Sequence, residues 1–196
     1  MALFGAEWDG IYIGDSIHFH ISGAIGAALM PWWIHWFRTN NPIVKCCVSI
    51  SDNAMRFVSH KALQQIANGE VWRDRWDEEF LPGYWRDGGL TGLSSIILAP
   101  ASLDTLMRLS HGRADSPALM MMQIATCPIV IADSIPGSNI IVEDAISRLK
   151  KRANVSFTPR VSAYRAPTRA RQESGFNVPQ SVRIASARLA EIKSND

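Results

Sequence analysis

Ile17-His18-Phe19-His20-Ile21-Ser22-Gly23-Ala24-Ile25 changes from one periodicity to another within a few residues. Up to Ile21 apolar and polar side chains alternate, the pattern of a half-buried strand. Ser22-Gly23 stops it, and from Ala24 the apolar positions Ile25, Ala28, Leu29, Trp32, Trp33 and Trp36 recur at steps of three and four, the stripe of an amphipathic helix. Pro31 is expected to kink that helix or to reset its start. Asn40-Asn41-Pro42 ends it. Residues 43–50 then read as a buried strand, and Ser51-Asp52-Asn53 caps a second helix running to about Ile66, where Asn68-Gly69 is a stop signal. Strand, helix, strand, helix in this order implies a doubly wound parallel sheet with right-handed crossovers and helices on both faces.

Residues 70–92 break the alternation. They mix charges with Trp72, Trp76, Phe80, Tyr84 and Trp85, and carry Pro82-Gly83 and Gly88-Gly89 as breakers. The segment reads as a long loop, of the size that serves a site or contacts a partner subunit. Regular structure resumes with a short strand at 95–99, helical stretches at 102–110 and 114–125, a strand at 128–132, a helix at 142–152 and a last strand at 155–157. The α/β domain, Rossmann-like or flavodoxin-like, is thus expected over 1–159. Residues 160–196 form a tail rich in Arg, Ser, Ala and Pro, with a short helix at 181–192, expected to fold over a neighbouring subunit or to stay mobile.

Bulk composition agrees with one domain. A chain of 196 residues, 47% hydrophobic and 19% charged, closes one ordinary core and is short for two. The formal net charge of +2, with no basic block interleaved with aromatics, excludes a nucleic-acid footprint. Cys46, Cys47 and Cys127 form neither a disulfide framework nor a zinc spacing, and fit a reducing, cytoplasmic compartment. The apolar stretch at 21–37 falls short of a membrane span and lacks the marks of a signal peptide. Trp32, Trp33 and Trp36 crowd one segment, as core or as an oligomer interface.

A strand that ends in Ser22-Gly23-Ala24 and opens into a helix suits a phosphate monoester. Glycine lets the backbone approach closely, and first-turn N–H groups are free donors for an anion. A plain strand-to-helix turn has the same residues. Ser49, Ser51 and the Asp52-Asn53 cap lie at the end of the next strand, at the same sheet edge, where open α/β folds bind ligands; simple helix capping accounts for Ser51 equally well. His18 and His20 read as satisfied edge residues, Met120 to Met122 as core filler, and the histidines make no metal constellation.

The stretch Leu98-Ala99-Pro100-Ala101-Ser102-Leu103-Asp104-Thr105, followed by His111-Gly112-Arg113-Ala114-Asp115, resembles the signature of the homo-oligomeric flavin-containing cysteine decarboxylases. Their usual forms are Pro-Ala-Ser-Ala-Asn-Thr and His-Gly-Ile-Ala-Asp-Asn. Ser22-Gly23-Ala24-Ile25 is similar to the family's Thr-Gly-Ser-Ile phosphate turn, and the segment from Ser51 to Phe57-Val58 to its Ser/Thr, Ala, Phe-Val segment. Pro128-Ile129-Val130-Ile131-Ala132 resembles the strand before its substrate clamp. The resemblance implies FMN, with the phosphate on Ser22, Gly23, Ala24 and Ser51, the ring against Ala101, Ser102 and Thr105, and Phe57 nearby. It also implies a trimer as the smallest working unit, trimers often assembling into dodecamers, with the flavin between subunits. The implied reaction is oxidative decarboxylation of a cysteine carboxylate, here the C-terminal cysteine of a ribosomally made precursor peptide, giving an enethiol. A small-molecule decarboxylase or reductase and a non-catalytic flavin-binding partner are the competing readings.

Three departures bear on that implication. Asp104 stands where the family has Asn, which replaces an amide donor by an acceptor when ionised; it is either a base or a silent substitution. The position of the family's catalytic His falls at Arg86. Residues 133–139 replace the Pro-x-Met-Asn clamp, which suggests a different substrate. Arg86 or Arg113 attracts the substrate carboxylate, or both are solvated surface charges. His111 is expected to be structural.

Overall fold

The computed structural model describes residues 11–76, 92–164 and 171–195. Its centre is a six-stranded, all-parallel sheet made of β1 (Ser16–Ile21), β2 (Lys45–Ile50), β3 (Val71–Arg73), β4 (Ser95–Ala101), β5 (Ile129–Asp133) and β6 (Val155–Phe157). The strand order is β3-β2-β1-β4-β5-β6. This is the doubly wound Rossmann order, with the reversal between β1 and β4.

Strand alternation divides the interior into two layers. Ile17, Phe19, Ile21, Val48, Ile50, Ile97, Ala99, Val130 and Ala132 face one core, with α1 (Met30–Asn40), α2 (His60–Ile66) and α6 (Val178–Asn195). Ile96, Leu98, Ile129 and Ile131 face the other, with α3 (Leu103–Ser110), α4 (Pro117–Ile124) and α5 (Ile140–Lys150). All six residues of β1 are buried, so its alternation does not mark a half-exposed strand. A central parallel strand is covered on both faces, and its polar residues must find partners inside.

The helices begin where local chemistry allows. A 3-10 turn at Ile25–Leu29 precedes α1, and Pro31 sits in the first turn of α1, so the proline resets the helix. Of the three crowded tryptophans Trp36 is core, edge-on to Trp33, whereas Trp32 is exposed. The expected second helix is split into a 3-10 turn at Ala54–Arg56 and α2. Ser102, Ser116 and Asn139 cap α3, α4 and α5 through their side chains.

Two parts depart from the sequence reading. The expected loop at 70–92 begins with β3, which places Trp72 in the core; three residues are too short for a periodicity to register. Residues 77–91, with Phe80, Tyr84, Trp85 and Arg86, lie outside the described residues. Beyond 160, β7 (Val161–Tyr164) and β8 (Arg171–Ser174) form an antiparallel pair, and α6 is longer than expected. Val178, Val182 and Ala185 of α6 are buried against this chain's own sheet, and Ser181 Oγ lies 2.8 Å from Thr158 Oγ1 at the end of β6.

Replacing Val182 by Ala removes two fully buried methyl groups and is expected to cost about 2 kcal/mol. Ile192→Ala, at a residue 42% exposed, is expected to stay within about 0.5 kcal/mol of the parent. Urea unfolding of the two variants checks whether α6 is part of the cooperative unit.

Candidate functional site

Ser22 ends β1 and is fully buried. Its Oγ donates to the Pro100 carbonyl at 2.7 Å and accepts from the Ser102 N–H at 2.7 Å. Its own N–H points to the same carbonyl at 3.3 Å. The side chain of Ser22 is therefore a brace between the ends of β1 and β4. Next to it, a Cβ on Gly23 would fall 2.5 Å from Asn53 Cβ, so only glycine lets this turn approach the end of β2.

These strand ends enclose a cavity of about 420 Å³, a size suited to a small-molecule site. Gly23, Ser51 and Asn53 line one wall, and Ser102, Asp104, Thr105 and Arg108 line the opposite one. Ser51 Oγ accepts from the Ala54 N–H at 3.2 Å, and Ser102 Oγ lies 3.1 Å from Thr105 Oγ1. Of the residues singled out in the sequence, the structure brings Gly23, Ser51, Ser102, Asp104 and Thr105 to this one cavity. Ala24 caps the adjacent 3-10 turn, Ala101 is buried behind the wall, and Phe57 is 41% exposed; none of the three lines the cavity. Arg86 is outside the described residues. Arg113 is more than half exposed and pairs with Asp115, and His111 is exposed at the end of α3, its Nδ1 2.8 Å from the Met107 carbonyl.

Sequence reading missed the residues that give the cavity its charge. Arg108, on α3, places Nε and Nη2 on Asp115 Oδ1 at 3.2 and 2.6 Å and Nη1 3.6 Å from Asp104 Oδ2. The hydrogen bond from Arg108 holds the Asp115 carboxyl below its usual range. Asp74 follows β3 and accepts the Ala118 N–H at 2.8 Å. The i,i+4 spacing of Asp104 and Arg108 was visible in the sequence; the long-range pairings were not.

His18 and His20 are core residues and not edge residues. Both are essentially inaccessible, on the face of β1 that looks toward α3 and α4. Ser49 Oγ sits between them, 2.8 Å from His18 Nε2 and 2.7 Å from His20 Nδ1. One hydroxyl proton serves two rings, so one imidazole donates to Ser49 and the other accepts from it. Burial pushes His18 down to about 3, helped by the charge of His20. Burial also lowers His20, opposed by Asp74 and reinforced by Arg108. His20 and Asp74 both line the cavity.

At the end of β5 the segment that replaces the clamp does local work. Buried Asp133 pairs with Arg160, Oδ2 to Nη2 at 2.9 Å, and Asn139 accepts from the Ile141 and Val142 N–H groups.

The family model described as Flavoprotein matches residues 13–174, most of the chain. The chain belongs to the flavoprotein family. It is 46% identical over 183 residues to a cypemycin cysteine dehydrogenase (decarboxylating) from a Streptomyces species, covering 93% of this chain and 96% of that protein. The crystal structure of the cypemycin decarboxylase CypD superposes with a TM-score of 0.79 at 43% identity, over 92% of this chain and 96% of that one. An FMN-dependent cysteine decarboxylase of thioviridamide biosynthesis, 21% identical, shares the fold with a TM-score of 0.61 over 72% of this chain and 88% of its own. The flavin implied by the sequence resemblance is thus the cofactor type of the family. Among the described residues no helix is long and apolar enough to cross a membrane, and no cluster of His, Cys, Asp or Glu is arranged to hold a metal ion.

The histidine environment sets a pH dependence of stability. Between its unfolded value of 6.5 and about 3, His18 is protonated in the unfolded chain and neutral in the folded one. Its contribution is therefore whole above about pH 6.5 and declines as pH falls, by roughly 1 kcal/mol per pH unit. Urea midpoints measured between about pH 7 and about pH 5 should fall with pH, and His18→Phe should flatten the slope.

Proposed function

We propose that this chain uses FMN to decarboxylate oxidatively the C-terminal cysteine of a ribosomally made precursor peptide, leaving an enethiol. The observation that carries the reading is the meeting of the Gly23 turn, Ser51 and the Ser102–Thr105 cap at one cavity, at the strand-order reversal of a flavoprotein-family chain. The relationship to a decarboxylating cysteine dehydrogenase supports the reaction class.

The residues present fit FMN. Gly23 lines the cavity, and its lack of a side chain lets this turn close on Asn53 at the end of β2, which brings the Gly23 and Ser51 walls together. The hydroxyls of Ser51, Ser102 and Thr105 suit a phosphate and a polyol, and Arg75 and Arg108 offset the carboxylates of Asp52, Asp104 and Asp115 around them. Trp76 and Leu119 give apolar surface for a flat ring. Gly23 and Ser51 would hold the phosphate, and the turn from Ser102 to Thr105 would face the ring, while Ser22, Ala24 and Ala101 shape the turns from behind, the N–H groups of Ser22 and Ala24 being bonded to the Pro100 and Ser22 carbonyls. When bound, FMN supplies the two-electron oxidation that converts the cysteine side chain to a thioaldehyde. The protein's part is to orient the peptide end, exclude water and hold the thiol proton. A thioaldehyde β to the carboxylate accepts the electrons released as carbon dioxide leaves, so the second step asks for little acid-base help. Asp104, at the cavity rim beside Arg108, is a polar contact for the peptide end.

The trimer implied by the resemblance belongs to the same proposal. Ile25, Leu29 and Trp32 form an exposed apolar row at helical spacing beside the phosphate turn, suited to a neighbouring subunit.

Peptides ending in cysteine, incubated with FMN-loaded protein, should lose about 46 Da, carbon dioxide plus two hydrogens, by mass spectrometry. A protein that retains flavin yet leaves every such peptide intact would contradict the reading. Gly23→Ala should retain FMN at least about ten-fold less tightly than the parent, measured by flavin fluorescence on titration.

A further inference from the structure

The buried histidines of β1 are unused by the chemistry so far. Parallel strands covered on both faces normally carry apolar side chains. Here three polar residues, His18, His20 and Ser49, lie in contact under the cavity floor, and only His20 also lines the cavity. His20 Nδ1 is held by Ser49, and its Nε2 is the nitrogen on the side of Asp74 Oδ2, 4.0 Å away. Asp74 is 5% exposed and is itself fixed by the Ala118 N–H at the start of α4. The ring is thus clamped from β1 and β2, and a carboxylate faces its free end from the segment after β3.

We propose that His20 is a catalytic residue of this site, taking the proton of the substrate cysteine thiol at Nε2 and returning it to the enethiolate, with Asp74 as its counter-charge. The inference rests on the decarboxylase reading above. The balance closes without further reactants. The S–H bond breaks and its proton goes to His20. The Cβ–H bond breaks and its hydrogen and electron pair leave to the flavin, giving the thioaldehyde. The bond to the carboxylate breaks, carbon dioxide departs, and its electrons form the enethiolate. His20 then gives back the proton, so the imidazole is regenerated neutral.

The surroundings favour a base that is neutral at rest. Burial and Arg108 on α3 disfavour the imidazolium, and Asp74 favours it. Arg108 is offset by its own partners, Asp104 and Asp115. Arg75, beside Asp74 in sequence, is turned toward Asp52 at 3.6 Å. His18, behind Ser49, stays neutral because burial holds it at about 3, so the proton taken by His20 has no lower-energy place to go through Ser49.

The test compares two peptides on FMN-loaded protein under anaerobic conditions, following the bleaching of the flavin. One ends in cysteine. The other ends in selenocysteine, whose selenol is already ionised at neutral pH and needs no base. His20→Asn, which keeps a polar partner for Ser49, should bleach about 100-fold more slowly with the cysteine peptide. With the selenocysteine peptide it should stay within about three-fold of the parent. Equal slowing with both peptides, or no slowing with cysteine, overturns the proposal. If the parent bleaches with neither peptide, the decarboxylase reading falls first and this inference with it. A second measurement needs neither turnover nor a stable His20 variant. Imidazole nitrogen resonances of the ligand-free protein should give His20 an apparent pKa below the ordinary value, lowered further by Asp74→Asn and raised by Arg108→Met. A His20 ring insensitive to Asp74→Asn also overturns it.

Discussion

The hydroxyl of Ser22 holds the site together. In a sheet of order β3-β2-β1-β4-β5-β6, the helices after β1 and β4 leave toward opposite faces, which opens a crevice between those two strand ends. The ladder is weakest at the same place. Pro100 has no N–H to give, and the pairing of β4 with β5 shifts register between Leu98 and Ala101. Ser22 Oγ restores the connection with one bond donated to the Pro100 carbonyl and one accepted from the Ser102 N–H. The two walls of the cavity, the Gly23 turn and the Ser102 cap, are consequently adjacent residues of one braced corner. An apolar side chain at 22 would leave the Ser102 N–H without its acceptor and the Pro100 carbonyl with only the longer bond from the residue 22 N–H, and a donor left unsatisfied is the costly half of a hydrogen bond.

A second constraint follows from putting polar groups in β1. Two buried imidazoles and a hydroxyl would each be unfavourable alone, yet as a connected set they satisfy one another. The parallel register that pairs His18 with Cys47 and His20 with Ser49 lets one serine reach both rings. A slip by one residue would turn the histidines toward the apolar layer of Phe19 and Phe37. The network therefore helps to set register as well as to line the cavity. Burial disfavours the charged form of both rings, opposed at His20 by Asp74.

Much of this was legible in the sequence where a feature is local. The strand-turn-helix that starts at Ile17, the reset at Pro31, the helix starting near Ser102 and the strands expected at 128–132 and 155–157 all rest on spacing within a few residues. The convergence of Gly23 with Ser102 was legible through topology, since neighbouring strand ends of a doubly wound sheet meet at the reversal. What stayed hidden depends on distant partners. The role of Ser22 as a brace needs Pro100, the burial of His18 and His20 needs Ser49, and β3 exists only because β2 offers an edge to a three-residue segment. The packing of α6 on β4 and β5 is likewise invisible in a composition that reads as a polar tail; its buried apolar residues are Val178, Val182 and Ala185, with Ser181 buried beside them.

The electrostatics of the cavity single out one carboxylate. Asp52 faces Arg73 at 3.0 Å and Arg75 at 3.6 Å, Asp115 is held by Arg108 and Arg113, and Asp104 shares Arg108. Those pairs are partly exposed and each contributes little to stability, about 1 kcal/mol or less. Their effect is to cancel charge at the mouth, so that replacing an amide by the carboxylate of Asp104 leaves the rim close to neutral. Asp74 differs: among the described residues it has no guanidinium partner, only the Ala118 N–H and the His20 ring. An arginine at that place would neutralise the carboxylate and leave a buried imidazole with no reason to accept a proton. The arrangement instead reserves the least solvated negative charge of the cavity for the one histidine that reaches it. That pairing, and not the number of charges, is what makes a proton-transfer role for the floor of this cavity physically reasonable.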